Sequence, residues 1–323
     1  MRPFLWLLAG FSVIAIRGET GMVIILAYLT VIFIWSTTPL AIQLSQDGLE
    51  FYSAVSLRMW LAALLSVPVV WLLKQRLAFH KQALVSYLAG SVGVYGAMMA
   101  VYWGAAYIPS GLISVLYGLA PMLSGAIAFV WLKERELTPA RVLALLIALS
   151  GLTLVVSARL AVDDNAWRGI LGTLVSVLCF SWSAVWVKKA NAGLHPMVQT
   201  SGTLWLSSLG YLLTLPLFGL HLPQPWPLTS QLGLGYLVVF GSIVGFMLYF
   251  FILKYLSAAR VTLITLVAPV LAMSWGNLIN GEEFQPTALR GAALLLAGLA
   301  LYQWHRPLDT LFARSRKKKA PAR

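Results

Sequence analysis

Apolar residues run almost unbroken along this chain in stretches about as long as a membrane-crossing helix, and polar residues gather in the short gaps between them. Ten such stretches follow one another, over approximately residues 22–44, 52–73, 84–107, 111–132, 141–158, 168–187, 198–217, 232–254, 260–279 and 288–305. A strand crossing a membrane as part of a barrel would alternate apolar and polar positions. Continuous runs instead predict an all-α membrane protein of ten transmembrane helices. Several gaps carry turn residues, as in Ile108-Pro109-Ser110-Gly111 and Pro223-Gln224-Pro225-Trp226-Pro227.

Composition agrees. Of 323 residues, 60% are apolar and 10% charged, with a mean hydropathy of +0.83. A soluble domain carries about 25% charged residues, so this chain has too little polar surface to face water. The single cysteine, Cys179, lies within an apolar run, which excludes an intrachain disulfide and a cysteine-based metal cluster.

The net charge of +13 has two candidate meanings, a nucleic-acid partner or the excess of Lys and Arg in cytoplasmic loops. Its distribution favours the second. If the first span starts in the cytoplasm, the inner connections and the tail hold seventeen Lys and Arg, among them Lys74, Arg76, Lys133, Arg135, Lys188, Lys189 and Lys254. The outer connections hold three, Arg159, Arg168 and Arg290. A plasma (inner) membrane protein with both termini cytoplasmic is expected. The basic tail, residues 306–323, is expected to meet anionic lipid headgroups rather than nucleic acid. Residues 1–21 stand apart. Phe4 to Ile16 has signal-peptide length, but Arg17-Gly18-Glu19 is a poor cleavage site and Met22 immediately precedes the first span. An early start codon is the preferred explanation, and a short surface helix the alternative.

The chain repeats itself. Phe33-Ile34-Trp35-Ser36 is echoed by Phe180-Ser181-Trp182-Ser183. Ala120-Pro121, with Glu134 thirteen residues after the proline, is echoed by Ala268-Pro269 and Glu282. Tyr107 finds Tyr255 and Gly151 finds Gly298. Each pair is separated by 147 or 148 residues. The repeat units, 22–158 and 168–305, each hold five spans. Because five is odd, the second copy enters the membrane from the opposite face. Inverted repeats of this kind are a common transporter construction, with the substrate site near the midplane between the copies.

These residues resemble the EamA-like branch of the drug/metabolite transporter superfamily: two five-span repeats, each with Ala-Pro in the fourth span, Glu at its end and Gly in the fifth. The resemblance covers residues 22 to 305. It implies a transporter of small organic solutes, a class that includes amino acids, metabolites, nucleotide sugars and drugs. The second copy departs from the first at Asn280-Gly281-Glu282-Glu283, where the first has Leu132-Lys133-Glu134.

Candidate site residues follow from chemistry that is rare inside a membrane. Arg58 lies about two turns into the second span, where a charge usually faces a cavity or a partner. It either anchors a substrate anion or snorkels to the headgroups. Trp35 and Ser36 match Trp182 and Ser183 at equivalent depths. Tyr102, Tyr249, Trp275 and Asn277 add hydrogen-bonding groups, with Trp103 and Tyr117 nearby. Pro121 and Pro269 are candidate hinges, and Glu134 and Glu282 candidate gate residues. None of the ten acidic residues falls within the middle of a span. That absence weighs against proton-coupled efflux and favours facilitated export or exchange of amino acids or related metabolites, with no metal or other cofactor. A membrane-embedded enzyme and a non-transporting scaffold are the rivals of other classes. No phosphate-binding glycine loop, metalloprotease motif or nucleophile elbow is present.

Overall fold

The computed structural model describes residues 19–132, 139–160, 163–256, 261 and 264–303, and within them the chain is helical with no strand. The first five helices are α1 (Glu19–Ser45), α2 (Phe51–Leu72), α3 (Lys81–Ala105), α4 (Ser110–Trp131) and α5 (Pro139–Leu160). The rest are α6 (Ala166–Ala190), α7 (Pro196–Phe218), α8 (Leu228–Tyr255), α9 (Ile264–Asn280) and α10 (Pro286–Gln303). The terminal stretches and Glu134, a candidate gate residue, lie outside the described residues.

Seven of these helices, α1 to α6 and α8, are long and apolar enough to cross a membrane, where the hydropathy pattern predicts ten. The difference has local causes. α9 and α10 are described over 17 and 18 residues, short of a full span. α7 is long but polar, carrying Gln199, Thr200, Ser201, Thr203, Ser207 and Ser208, all buried. Three of them bond to neighbouring helices. Ser201 pairs with Ser66 at 2.7 Å, Gln199 accepts from the Ser86 hydroxyl at 2.6 Å, and Ser208 donates to the Met59 carbonyl at 3.1 Å. A seam of hydroxyls and amides thus holds α7 to α2 and α3, where apolar surfaces alone give helices in lipid little reason to associate.

Helix pairing carries the repeat into three dimensions. α2 packs on α7, α4 on α9 and α5 on α10, so each of these helices meets its own counterpart in the other half. The remaining contacts are exchanged between halves: α1 lies against α8 and α9, and α6 lies against α3 and α4. The pairing is thus reciprocal between the two copies. The repeat glycines take part directly. A Cβ on Gly151 of α5 would lie 2.4 Å from the Leu295 nitrogen, and one on Gly298 of α10 would lie 2.5 Å from the Ala148 nitrogen. Backbone therefore touches backbone along this pair.

The third helix of each half departs from α geometry in the same place. α3 is π-helical over Val92–Gly96 and α8 over Leu237–Val244, stretches that overlap when shifted by one repeat. Such insertions tend to mark functional positions, because they free carbonyls and re-aim side chains. In α3 the Tyr211 hydroxyl takes up two of the carbonyls, those of Val94 and Tyr95, at 3.4 and 3.1 Å. The two prolines behave differently. α4 breaks at Gly118-Leu119, and Pro121 begins its second part, where its missing N–H leaves no gap. Pro269 sits within a helix that continues on both sides of it.

Candidate functional site

A cavity of about 640 Å³, its open mouth included, lies between the two halves. α1 contributes Trp35, Thr38, Pro39 and Ile42, while α2 and α3 give Arg58, Met98 and Val101. α4 supplies Ile113, Ser114 and Tyr117. The second half adds Phe180, Gly241, Phe246 and Ala268. Both copies therefore build the wall, which is apolar with a few polar groups, as small-molecule sites commonly are.

Arg58 is the charge in this wall, and it does not snorkel. The side chain is 1% exposed. Its Nε donates to the Ser242 hydroxyl at 2.9 Å and its Nη1 to the Tyr102 hydroxyl at 3.3 Å, with the Met98 sulfur 3.9 Å away. Ser242 belongs to the π-helical stretch of α8. The preceding residue, Gly241, leaves room beside the guanidinium, since a Cβ there would lie 3.0 Å from Nη2. Among the described residues no carboxylate lies within ion-pair distance of Arg58; the ion pair found elsewhere, His221 with Glu50, is at the surface. Burying a cation without a counter-ion is expensive. The two hydroxyls provide dipoles but no compensating charge, so the site is electrostatically incomplete.

Aromatic rings from both halves meet at the cavity wall, where Trp35, Tyr117 and Phe180 line the space. Trp35, Phe180 and Tyr249 surround one another with ring centres 5.3 to 5.4 Å apart, and Tyr117 stands 6.0 Å from Phe180. The Tyr249 hydroxyl is buried without a hydrogen-bond partner among the described residues. At one end of the bundle, polar side chains tie the helices together. Gln43 donates to the carbonyls of Ala105 and Ile108 at 3.2 and 2.8 Å, and Gln46 to that of Tyr102 at 2.9 Å. At that end Glu282, 8% exposed, accepts from the backbone N–H groups of Ser110 and Gly111 at 3.0 and 3.2 Å. A carboxylate from the connection between α9 and α10 thereby caps the start of α4 in the other half.

The sequence candidates divide on this geometry. Arg58 and Trp35 line the cavity, with Tyr102 bonded to Arg58 and Tyr249 packed against Trp35 behind them. Ser36 is buried between α1 and α9, where it accepts from the Trp275 indole at 3.3 Å, and neither lines the cavity. Asn277 holds the connection after α9 by donating to the Glu282 carbonyl at 3.0 Å. Trp182 stands at the same repeat position as Trp35 but points outward, 43% exposed, against Trp131. Ser183 packs on Gly93, where an added Cβ would lie 2.7 Å from the serine hydroxyl. Equivalence in the repeat therefore sets depth along the helix without setting the direction a side chain faces. Phe180 and Gly241, which line the cavity, and Ser242, which bonds Arg58, are candidates that sequence reasoning missed. The signal that could have found the last two is a Gly-Ser pair inside the most apolar run of the chain.

Accessibility can test this division. In a Cys179→Ser background, Thr38→Cys is expected to react with a membrane-impermeant thiol reagent roughly tenfold faster than Ser183→Cys, because thiol reactivity follows exposure. Equal rates would show that the cavity is not water-filled at α1.

Comparison with known proteins gives a consistent picture. The model of the EamA-like transporter family matches the chain twice, over residues 22–157 and 167–303. An uncharacterized transporter of Archaeoglobus fulgidus is 26% identical over 275 residues, spanning 84% of this chain and 95% of its own. A probable terminal-alkyne amino-acid exporter of Streptantibioticus cattleyicolor is 27% identical over 217 residues, 66% of this chain and 71% of its own. Protein PagO of Salmonella typhimurium is 23% identical over 285 residues, 85% and 90% of the two chains. A solved crystal structure superposes with a TM-score of 0.63 at 19% identity, covering 90% of this chain and 98% of that one, which shows a shared fold.

Proposed function

This chain belongs to the EamA-like transporter family, and from that premise we propose that it moves small organic solutes bearing a carboxylate, amino acids or related metabolites, out through a bacterial inner membrane. It is an integral, multi-pass membrane protein. The proposed architecture is ten spans in two inverted five-helix repeats with both termini in the cytoplasm, for which the helix pairing and the distribution of Lys and Arg are the support. The name of the Streptantibioticus relative, an amino-acid exporter, supports the solute class.

One observation carries the reading: a buried guanidinium, with no acid beside it among the described residues, faces a cavity walled by both halves. A solute carboxylate supplies the missing charge, and Ser242 and Tyr102 hold the guanidinium in place for it. Trp35, Tyr249 and Phe180 receive the apolar part of the solute. Alternating access then consists of one group of helices rocking against the other. The contacts of Gln43, Gln46 and Glu282 close one end of the cavity, and the break before Pro121 acts as a hinge. The chain performs no covalent chemistry in this scheme and needs no cofactor.

The test is uptake into liposomes containing purified protein, using labelled amino acids, organic acids and cationic drugs, with and without an imposed pH gradient. Saturable uptake of carboxylate-bearing solutes is expected, independent of the gradient, with a loss of roughly tenfold or more in Arg58→Gln, the scale of one charge-assisted hydrogen bond. Normal transport by a well-expressed Arg58→Gln would remove the anchor. Uptake driven by the pH gradient would replace facilitated export with proton coupling.

A further inference from the structure

We infer that the cavity prefers apolar monocarboxylates that lack an ammonium group, so that an organic acid binds more tightly than the amino acid with the same side chain. The inference rests on Arg58 as the anion anchor and adds what the rest of the wall can accept. An amino acid carries its ammonium one carbon away from its carboxylate. When the carboxylate meets the guanidinium, the ammonium is brought close to a like charge in a buried, poorly screening site. A site built for amino acids offsets this with a carboxylate or with several unoccupied carbonyls near the anion anchor.

Such a carboxylate is not found among the described residues. No acidic side chain lines the cavity. Two of its hydroxyls are engaged: Thr38 donates to the Ile34 carbonyl at 2.7 Å, and Tyr117 shares a 2.5 Å hydrogen bond with Ser176, whose own proton goes to the Ala97 carbonyl at 2.6 Å. The carbonyls of Val94 and Tyr95, in the π-helical part of α3, are taken by Tyr211. The same wall holds Trp35, Phe180 and Phe246 with aliphatic neighbours, and Thr38, Ser114 and Tyr117 are its neutral polar side chains. Aromatic faces attract cations weakly when a fixed cation competes for the same field. They hold an aromatic or branched hydrocarbon body well. One fixed positive charge at one end and rings at the other match a monoanion with an uncharged apolar body.

The experiment compares ligands that differ only in the α-ammonium, using purified full-length protein in nanodiscs and isothermal titration calorimetry. The pairs are 3-phenylpropionate with phenylalanine, indole-3-propionate with tryptophan, and 4-methylpentanoate with leucine; 2-phenylethylamine is the cationic control. The acid of at least one pair is expected to bind roughly tenfold more tightly than its amino acid, with no saturable response to the amine. Because this ratio is read on the unaltered protein, it does not depend on any variant folding. Arg58→Gln should abolish the response to the acid, and Arg58→Lys should retain part of it. Amino acids binding as tightly as the acids, with dependence on Arg58, would overturn the selectivity and leave the anchor standing. Binding indifferent to Arg58, or tightest for the amine, would overturn both. No saturable response to any of the three acids would overturn the proposed ligand class.

Discussion

Gly151→Leu is expected to yield little or no monodisperse protein, the largest structural effect of any single change considered for this chain. In α5 this glycine faces α10 so closely that even a methyl group would fall 2.4 Å from the Leu295 nitrogen and 2.6 Å from the Gly291 carbonyl oxygen. Those atoms are backbone and cannot swing aside as a flexible side chain could. Over-packing by a methylene or two in an adaptable core costs about 1–3 kcal/mol. Here the helices would have to separate along their whole line of contact, where Gly291 and Gly298 are equally close to α5. α5 packs chiefly on α10, so little else holds it in place. Gly151→Ala should fall between leucine and the parent. Gly235→Leu, at a glycine with nothing within 4 Å of its Cβ position, should behave like the parent. Size-exclusion profiles and melting temperatures of fluorescent fusions in mild detergent measure all three. A parental profile for Gly151→Leu would mean that α5 and α10 do not pack this way in the membrane.

Glu282→Ala is the second large effect, expected on both stability and transport. Its carboxylate accepts two backbone N–H groups at the start of α4, and those donors have no helical partner of their own. Hydrogen bonds to a charged group contribute about 1.5–3 kcal/mol each, and removing the acceptor leaves buried donors unsatisfied. A destabilisation of about 3 kcal/mol is therefore expected, seen as a clear drop in melting temperature. Glu282→Gln keeps one acceptor oxygen but turns an amide N–H toward a donor, so its loss should be intermediate. If Glu282 also closes one end of the cavity, Glu282→Gln should alter transport beyond its change in stability. Melting unchanged in both variants would remove the capping role.

The two predictions also show how far sequence reasoning reaches. The duplication is legible because repeat spacing survives in the positions that pack most tightly: Gly151 and Gly298 are paired by their separation along the chain, and they pack in the same helix interface. Arg58 is legible because a charge in an apolar run has few physical excuses. By contrast, Trp182 and Ser183 read as partners of Trp35 and Ser36, yet they face away from the cavity. A helical position fixes height, while the rotation of the helix in the bundle decides what a side chain meets. Glu282 reads as a gate or an end-of-helix charge. Its role as a cap depends on the approach of Ser110, 172 residues earlier in the chain.

From the amino-acid order alone follow the membrane setting, the helical class, the duplication and the rarity of buried charge, because each is a matter of composition or of spacing along one dimension. Tertiary structure decided which polar residues meet. It set the π-helical stretches that bring Ser242 to Arg58, turned Phe180 rather than Trp182 toward the cavity, and left the guanidinium without an acid among the described residues. These outcomes depend on how helices rotate and approach one another, and backbone contact at a few glycines controls that more than the apolar pattern does.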